Sequence, residues 1–358
     1  MRFFLWYNIL SIHQSAFVKA LAEDHDVTVI AEHNLDADCL HEQNSIPSMG
    51  SAKVVVTPNE EQIEAFIKVD KVIHLVCGLD FAFRKYHLVQ RLVKIKAKVL
   101  CYCEPYIWND GKGWLRRIKY WLIFLRFGRK VPSILYMGYN GYRCMRQAGF
   151  RKQQLFSWGY FTEVPAELQP TEDDPTGPVR FIFVGRLDKN KNCRLLLETM
   201  HTMSEDFRLT IVGDGKSRPS MEHYWEDDKR ITWKGILPND ETQRLIGEHD
   251  VLVLPSKYDG WGAVVNEALM HGTRVVCSSN CGAATLIGDI TRGEVFSLSK
   301  EGGLKKALQN QLKSGRTTIR MREAIKKWSY SNISGHSASV LFVKICNLIF
   351  STNKHLKS

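Results

Sequence analysis

Pro255-Ser-Lys-Tyr-Asp-Gly-Trp-Gly-Ala-Val-Val-Asn-Glu-Ala-Leu-Met-His-Gly-Thr-Arg-Val-Val-Cys277 is the stretch whose reading decides the fold. The residues before it, Val251 to Leu254, form a short apolar run, the pattern of a strand buried on both faces of a parallel sheet. The loop that follows holds Gly260 and Gly262, which let backbone amides come close to a ligand. A helix is predicted from about Ala263 to His271 with Gly272 as its cap, and a strand resumes over Arg274 to Cys277. Strand, loop, helix and strand make a βαβ unit. Its loop lies at the carboxyl end of a strand, where open α/β sheets bind ligands.

Two carboxylates mark this unit: Asp259 in the loop, and Glu267 eight residues later in the helix. Amide donors at a helix start favour a phosphate, and a carboxylate about one turn further on can accept hydrogen bonds from two ribose hydroxyls. Either acid alone reads more readily as a solvated surface residue, because Gly-rich βα loops are common. Together the residues run Pro-x-x-x-acid-Gly-x-Gly, then a second acid, then Ala-Leu-x-x-Gly-Thr-x-Val-Val. That pattern closely resembles the E-x7-E signature of glycosyltransferase family 4. The resemblance implies a GT-B fold, two Rossmann-like α/β domains facing each other across a cleft, and a retaining mechanism. Asp259 is one methylene shorter than the family's Glu, and Glu267 matches its ribose-binding position.

A second signature precedes the first. Val179 to Val184 reads as a strand, followed by Gly185-Arg186-Leu-x3-Lys191. Gly185 permits close approach of backbone to ligand, and Arg186 with Lys191 can neutralise a diphosphate. The family holds the donor pyrophosphate with this Arg and Lys. Gly213-Asp-Gly215 follows another strand and lacks the third glycine of a dinucleotide fingerprint. After the strand Ile231 to Lys234, the resemblance makes Ile236 a contact for the nucleotide base. The expected donor site is therefore Gly185, Arg186, Lys191, Ile236, Asp259, Gly260, Trp261, Gly262 and Glu267, with Asp259, Arg186 and Lys191 also in catalysis. The resemblance covers residues 179–290 most specifically and residues 1–160 more weakly.

The first half alternates in the same way. Strands are expected at Phe3–Tyr7, Val27–Ala31, Lys53–Val56, Val72–Val76, Val99–Cys103 and Pro132–Tyr136, with helices near 59–68, 80–94 and 141–148. The family's Gly-rich first turn is replaced here by Ser11, His13, Gln14 and Ser15. Ser15 suits a helix N-cap; His13 suits a phosphate or an acceptor hydroxyl as well as a purely structural role. Glu104 and Tyr106 follow the strand that ends at Cys103, where relatives carry a His. Glu104 could act as a base toward an acceptor hydroxyl, or cap a nearby loop. His13, Glu104 and Tyr106 are thus the acceptor candidates.

Residues 111–130 carry seven Lys or Arg and no acid, with Trp114, Ile118, Trp121, Leu122 and Leu125 on one helical face. This reads as an interfacial anchor on an anionic membrane surface, or else as a core helix with a basic outer face. Domain limits follow: 1–164 for the acceptor domain, 165–178 for a Pro-rich acidic linker, 179–332 for the nucleotide-sugar domain, and 333–358 for a helix that, by resemblance, crosses back onto the first domain.

The whole chain agrees with these limits. Its 358 residues suit two domains, and a net charge of +11 suits an anionic partner. Nine scattered cysteines lack the paired spacing of a zinc site and suit free thiols in a reducing cytosol. No run reaches the length of a membrane span, so the expected location is cytoplasmic, peripheral to the inner face of the plasma membrane. The resemblance implies a metal-independent hexosyltransferase-type enzyme without a cofactor, using a UDP- or GDP-sugar and a lipid-linked oligosaccharide acceptor for O-antigen, capsule or similar polysaccharide. A GT-B epimerase or hydrolase, or a basic binding protein, is the alternative. No nucleic-acid motif is present.

Overall fold

In the computed structural model, which describes residues 1–33, 47–165 and 176–351, the apolar runs pair into two parallel sheets. Contacts divide the chain into Met1–Glu163 with Asn332–Ser358, and Val164–Ser331. The fold is GT-B in class, each unit a doubly wound α/β layer. Most of the expected linker lies outside the described residues.

The first unit contains β1 (Arg2–Tyr7), α1 (Ile12–Asp24), β2 (Asp26–Ala31), β3 (Lys53–Val56), α2 (Glu60–Ile67), β4 (Ile73–Cys77), α3 (Leu88–Lys94), β5 (Lys98–Cys103), α4 (Gly113–Arg126), β6 (Ser133–Met137), α5 (Gly138–Gln147) and β7 (Leu155–Trp158). The strand order is β3-β2-β1-β4-β5-β6-β7, every pair parallel. The order reverses between β1 and β4, where such sheets open their ligand crevice. Trp6 is fully buried there, and its indole N–H donates to His74 Nδ1 at 3.1 Å. Burial holds His74 at about 4, so it stays a neutral acceptor.

The second unit contains β8 (Val179–Val184), α6 (Cys193–His201), β9 (Phe207–Val212), α7 (Arg218–Tyr224), β10 (Ile231–Gly235), α8 (Asn239–Glu248), β11 (Val251–Leu254), α9 (Val264–Met270), β12 (Arg274–Ser278), β13 (Gly293–Phe296), α10 (Gly303–Ser314) and α11 (Ile319–Asn332). Its order is β10-β9-β8-β11-β12-β13, with the reversal between β8 and β11. Asp250, at the foot of β11, is fully buried and ion-paired to Arg180 (3.3 Å), Arg316 (2.9 Å) and Arg322 (3.4 Å). Burial pushes its carboxyl up, and the hydrogen bonds from Arg180 overcome that and hold it below the usual range.

The last helix, α12 (Gly335–Ser351), belongs to the first unit. Phe342 is fully buried against Phe3 (5.4 Å), Phe17 (5.3 Å) and Trp158 (5.9 Å). A Cβ on Gly335 would lie 2.1 Å from the Ala16 carbonyl, so only glycine lets α12 start this close to α1.

Two local expectations change. The helix near 80–94 shrinks to a 3-10 turn and α3, because Phe83 and His87 take left-handed φ of 53° and 52°. Phe83 is drawn into the core against Trp6, and its amide donates to Glu32 at 2.6 Å. Gly282–Leu286 forms only a 3-10 turn, and α7 went unread in the sequence. α1 starts at Ile12 with Ser11, not Ser15, as its cap, because Gln14 closes a capping box with Ser11. The eight described cysteines are all free thiols.

Candidate functional site

In the second unit the chemistry gathers on the loops leaving β8 and β11, the two strands that flank the sheet's reversal. Asp188 sets the first loop. Its Oδ1 accepts the amides of Asn190 (2.9 Å) and Lys191 (2.7 Å), a tight Asx turn that aims Lys191 at the second loop. Asn190 and Asn192 then clamp the two loops together: Asn190 Nδ2 donates to the Tyr258 carbonyl (2.9 Å), and Asn192 Nδ2 to that of Pro255 (3.2 Å). The result is an ion pair between Lys191 Nζ and Asp259 Oδ2 at 2.6 Å, with side chains 21% and 14% exposed. Asp259 uses one of three ammonium donors and leaves Lys191 capacity for phosphate oxygens.

Asp259 is itself fixed from behind. Its amide donates to the Asn280 carbonyl (3.2 Å), and its carbonyl accepts from the Gly282 amide (3.2 Å). The Ala283 amide donates to the Trp261 carbonyl at 2.8 Å. Trp261 is 3% exposed, and its indole N–H donates to Asn266 Oδ1 at 2.7 Å. The expected ligand contact is therefore not made by the Trp261 side chain; the indole is a buried anchor that leaves backbone at the loop surface. Glu267 lies half-buried in the first turn of α9.

Gly185, expected at the site, is held by Gly213 and Gly235, which were not assigned to it. Gly213 has φ +125°, and a Cβ there would lie 2.1 Å from the Gly185 carbonyl. The Gly213 amide donates to the Gly235 carbonyl at 2.7 Å, which joins the turns after β8, β9 and β10. Arg186 projects from the first of these turns with its side chain 77% exposed and a 3.4 Å contact to Asp188. Ile236, just past β10, is 67% exposed, an open apolar face.

In the first unit, two of the three acceptor candidates come together and the third does not. His13 sits in the first turn of α1 and stacks on Tyr160, centroids 5.5 Å apart and planes 11° apart. The Tyr160 hydroxyl donates to Glu104, just past the end of β5. Burial holds the His13 imidazole below its usual range. Tyr106 instead enters the core, packed on Tyr120 at 5.1 Å, with its hydroxyl 3.4 Å from Gln147. Tyr160 was missed by sequence reasoning; the signal available was an aromatic residue two positions beyond a strand's carboxyl end.

α4 presents the face read from sequence, and that face is outward. Trp114, Trp121 and Leu122 are 62%, 47% and 53% exposed, while Tyr120, Ile123, Phe124 and Phe127 meet the core. The reading of the Trp-bearing face as core is thereby removed. No helix among the described residues is long and apolar enough to cross a membrane.

The comparisons meet this geometry at the same segment. Residues 178–314 match the family described as glycosyl transferases group 1. The chain is 27% identical over 171 residues to 2-deoxystreptamine glucosyltransferase of Streptomyces kanamyceticus, covering 46% of this chain and 44% of that one. It is 25% identical over 231 residues to an uncharacterized 41.2 kDa protein in the cps region of Klebsiella pneumoniae, covering 61% and 63%. The chain thus spans about half the length of the curated relatives it matches. Among solved structures, Anabaena HepE in complex with UDP superposes with a TM-score of 0.69 at 12% identity over 97% of this chain and all of that one. The lipopolysaccharide outer core galactosyltransferase WaaB gives 0.70 at 13% identity, over 98% and 100%. These likenesses establish the GT-B fold.

Proposed function

We propose that the protein is a retaining glycosyltransferase that carries a sugar from a nucleotide-sugar, a UDP- or GDP-sugar, to a lipid-linked saccharide acceptor in the assembly of O-antigen, capsule or another surface polysaccharide. The observation that carries this reading is the Lys191–Asp259 ion pair on the two loops at the sheet reversal, inside the segment that matches the glycosyl transferases. The UDP bound by HepE supports a uridine donor first. The name of WaaB and the cps-region relative support polysaccharide assembly. The outward stripe of α4 supports peripheral contact with an anionic membrane surface.

The leaving nucleoside diphosphate gains charge as the glycosidic bond breaks. Lys191 and Arg186 stand to neutralise that charge more strongly in the transition state than in the ground state, which is what lowers a barrier. Gly260 to Gly262 add backbone amides, Glu267 takes the ribose hydroxyls and Ile236 the base. On the acceptor side, Glu104 is held by Tyr160 with His13 stacked behind, a carboxylate able to hydrogen-bond an acceptor hydroxyl. Lys191, fixed by Asp259, and Arg186 supply this charge without a divalent metal in this reading. The test is transfer from UDP- and GDP-sugars to a lipid-linked saccharide in EDTA, reading nucleotide release and the product's anomeric configuration. Retained configuration with undiminished turnover is expected; an inverted product or abolition by EDTA overturns the mechanism.

A further inference from the structure

A large cavity of the first unit lies away from the carboxyl ends of its strands. It is a groove of about 930 Å³ at the amino-terminal edge of the sheet, between the α3–β5 turn, the end of α4 and the last turns of α12. Glu104 follows the other end of β5, roughly 20 Å away at about 3.3 Å per strand residue. A ligand held in the groove is therefore not one reacting at Glu104.

Five cations line the groove: Lys94, Lys96, Lys98, Arg126 and Lys130. Among the described residues no acid lines it, and none of the five cations has an acidic partner. Like charges gathered on one edge repel, and an anion seated among them relieves that repulsion. The walls between the cations are apolar. Phe127 and Phe350 line the same groove, and Lys98 Nζ stands 5.7 Å from the Phe350 ring centroid. A free phosphate or nucleotide would use the cations and leave these walls wet. A phosphate joined to a glycerol and acyl chains would use both.

Position adds a third observation. Arg126, which lines the groove, is the last residue of α4. The exposed apolar stripe of that helix, from Trp114 to Leu125, leads along its length to the groove. A bilayer touching the stripe brings lipid headgroups to the five cations. We propose that this groove binds the phosphate headgroup of one anionic phospholipid from the bilayer on which α4 rests. The inference rests on the membrane contact proposed above, not on sugar transfer.

The test is titration of the full chain with a short-chain phosphatidylglycerol below its micelle concentration, followed by NMR or calorimetry. The matching phosphatidylcholine and inorganic phosphate form the comparison arms. Saturable binding of one phosphatidylglycerol is expected, with far weaker binding of the other two. Replacing Lys94, Lys98 and Lys130 together by alanine removes three exposed cations and is expected to weaken binding about a hundredfold. Its melting temperature and its transfer to a water-soluble acceptor should stay at wild-type values, which separates this site from the enzymatic reading. Trp121→Ser with Leu122→Ser should lower vesicle association yet spare binding of the monomeric lipid, which separates groove from stripe. Should the triple variant fold poorly, Lys130→Glu alone must still weaken lipid binding. Wild-type lipid affinity in the variants, or inorganic phosphate binding as well as the lipid, overturns the proposal.

Discussion

At the residue scale, the account turns on Lys191 and Asp259. The spacing of Gly185, Arg186 and Lys191 stood out in the sequence because it resembles a family signature, with a glycine that allows close approach of backbone to ligand. What the sequence could not give was that Asp259 reaches Lys191 itself. That contact depends on the Asx turn of Asp188 and on Asn190 and Asn192, residues that read only as polar loop. Lys191→Ala removes the cation on which charge stabilisation rests. Turnover should fall by about two to three orders of magnitude, as when one preorganised donor to a developing anion is lost; near-normal turnover in the transfer assay would contradict the assignment. Tyr160 escaped notice because nothing in its own neighbourhood announces the partnership with Glu104 and His13, which are brought to it only by the sheet.

At the element scale, strands were read closely and helices less so. Val179–Val184 and Val251–Leu254 fall on their expected residues, since buried strands of a parallel sheet read as apolar runs. The helix near 80–94 was overread because local propensity carries no trace of Phe83 turning into the core against Trp6. α4 shows the opposite case: its period was plain, but period alone does not say whether the apolar face looks in or out. The Asp250 cluster belongs to this scale too, because it ties the segment before and within α11 to the start of β8 and β11. Asp250→Ala leaves three guanidinium groups without their buried counter-charge. It should destabilise the second unit by about 3–5 kcal/mol, read as a lowered urea midpoint; an unchanged midpoint would mean that the arginines are solvated in the native state.

At the scale of the whole molecule, both units repeat one plan, a parallel sheet reversing beside its first strand; the alternation of strand and helix was legible in the sequence, the two-domain plan came from the family resemblance, and the strand order was not read. Among the described residues, the first unit buries His74, and the second buries His249 and His271. Burial holds His74 at about 4, and holds His271 at about 4 with the positive charges of Lys326 and Arg322 adding to it. Below pH 6.5 the unfolded chain takes up protons that these native imidazoles refuse, so stability declines as pH falls from 6.5 toward 4 and the loss is complete below 4. Each site can contribute up to about 3 kcal/mol of that loss. Thermal melts across this range should show midpoints falling steadily with acidification, and a flat profile would contradict the buried neutral state.

The central claim, that loops of the second unit hold a nucleotide-sugar, is tested most directly by ligand-induced thermal shift. Wild type, Lys191→Ala and Glu267→Ala would be measured against UDP-, GDP-, CMP- and dTDP-sugars. The account predicts that one nucleotide class, the uridine or guanosine one, raises the melting temperature of wild type and of neither variant. Stabilisation of no protein by any donor, or of all three alike, would contradict it.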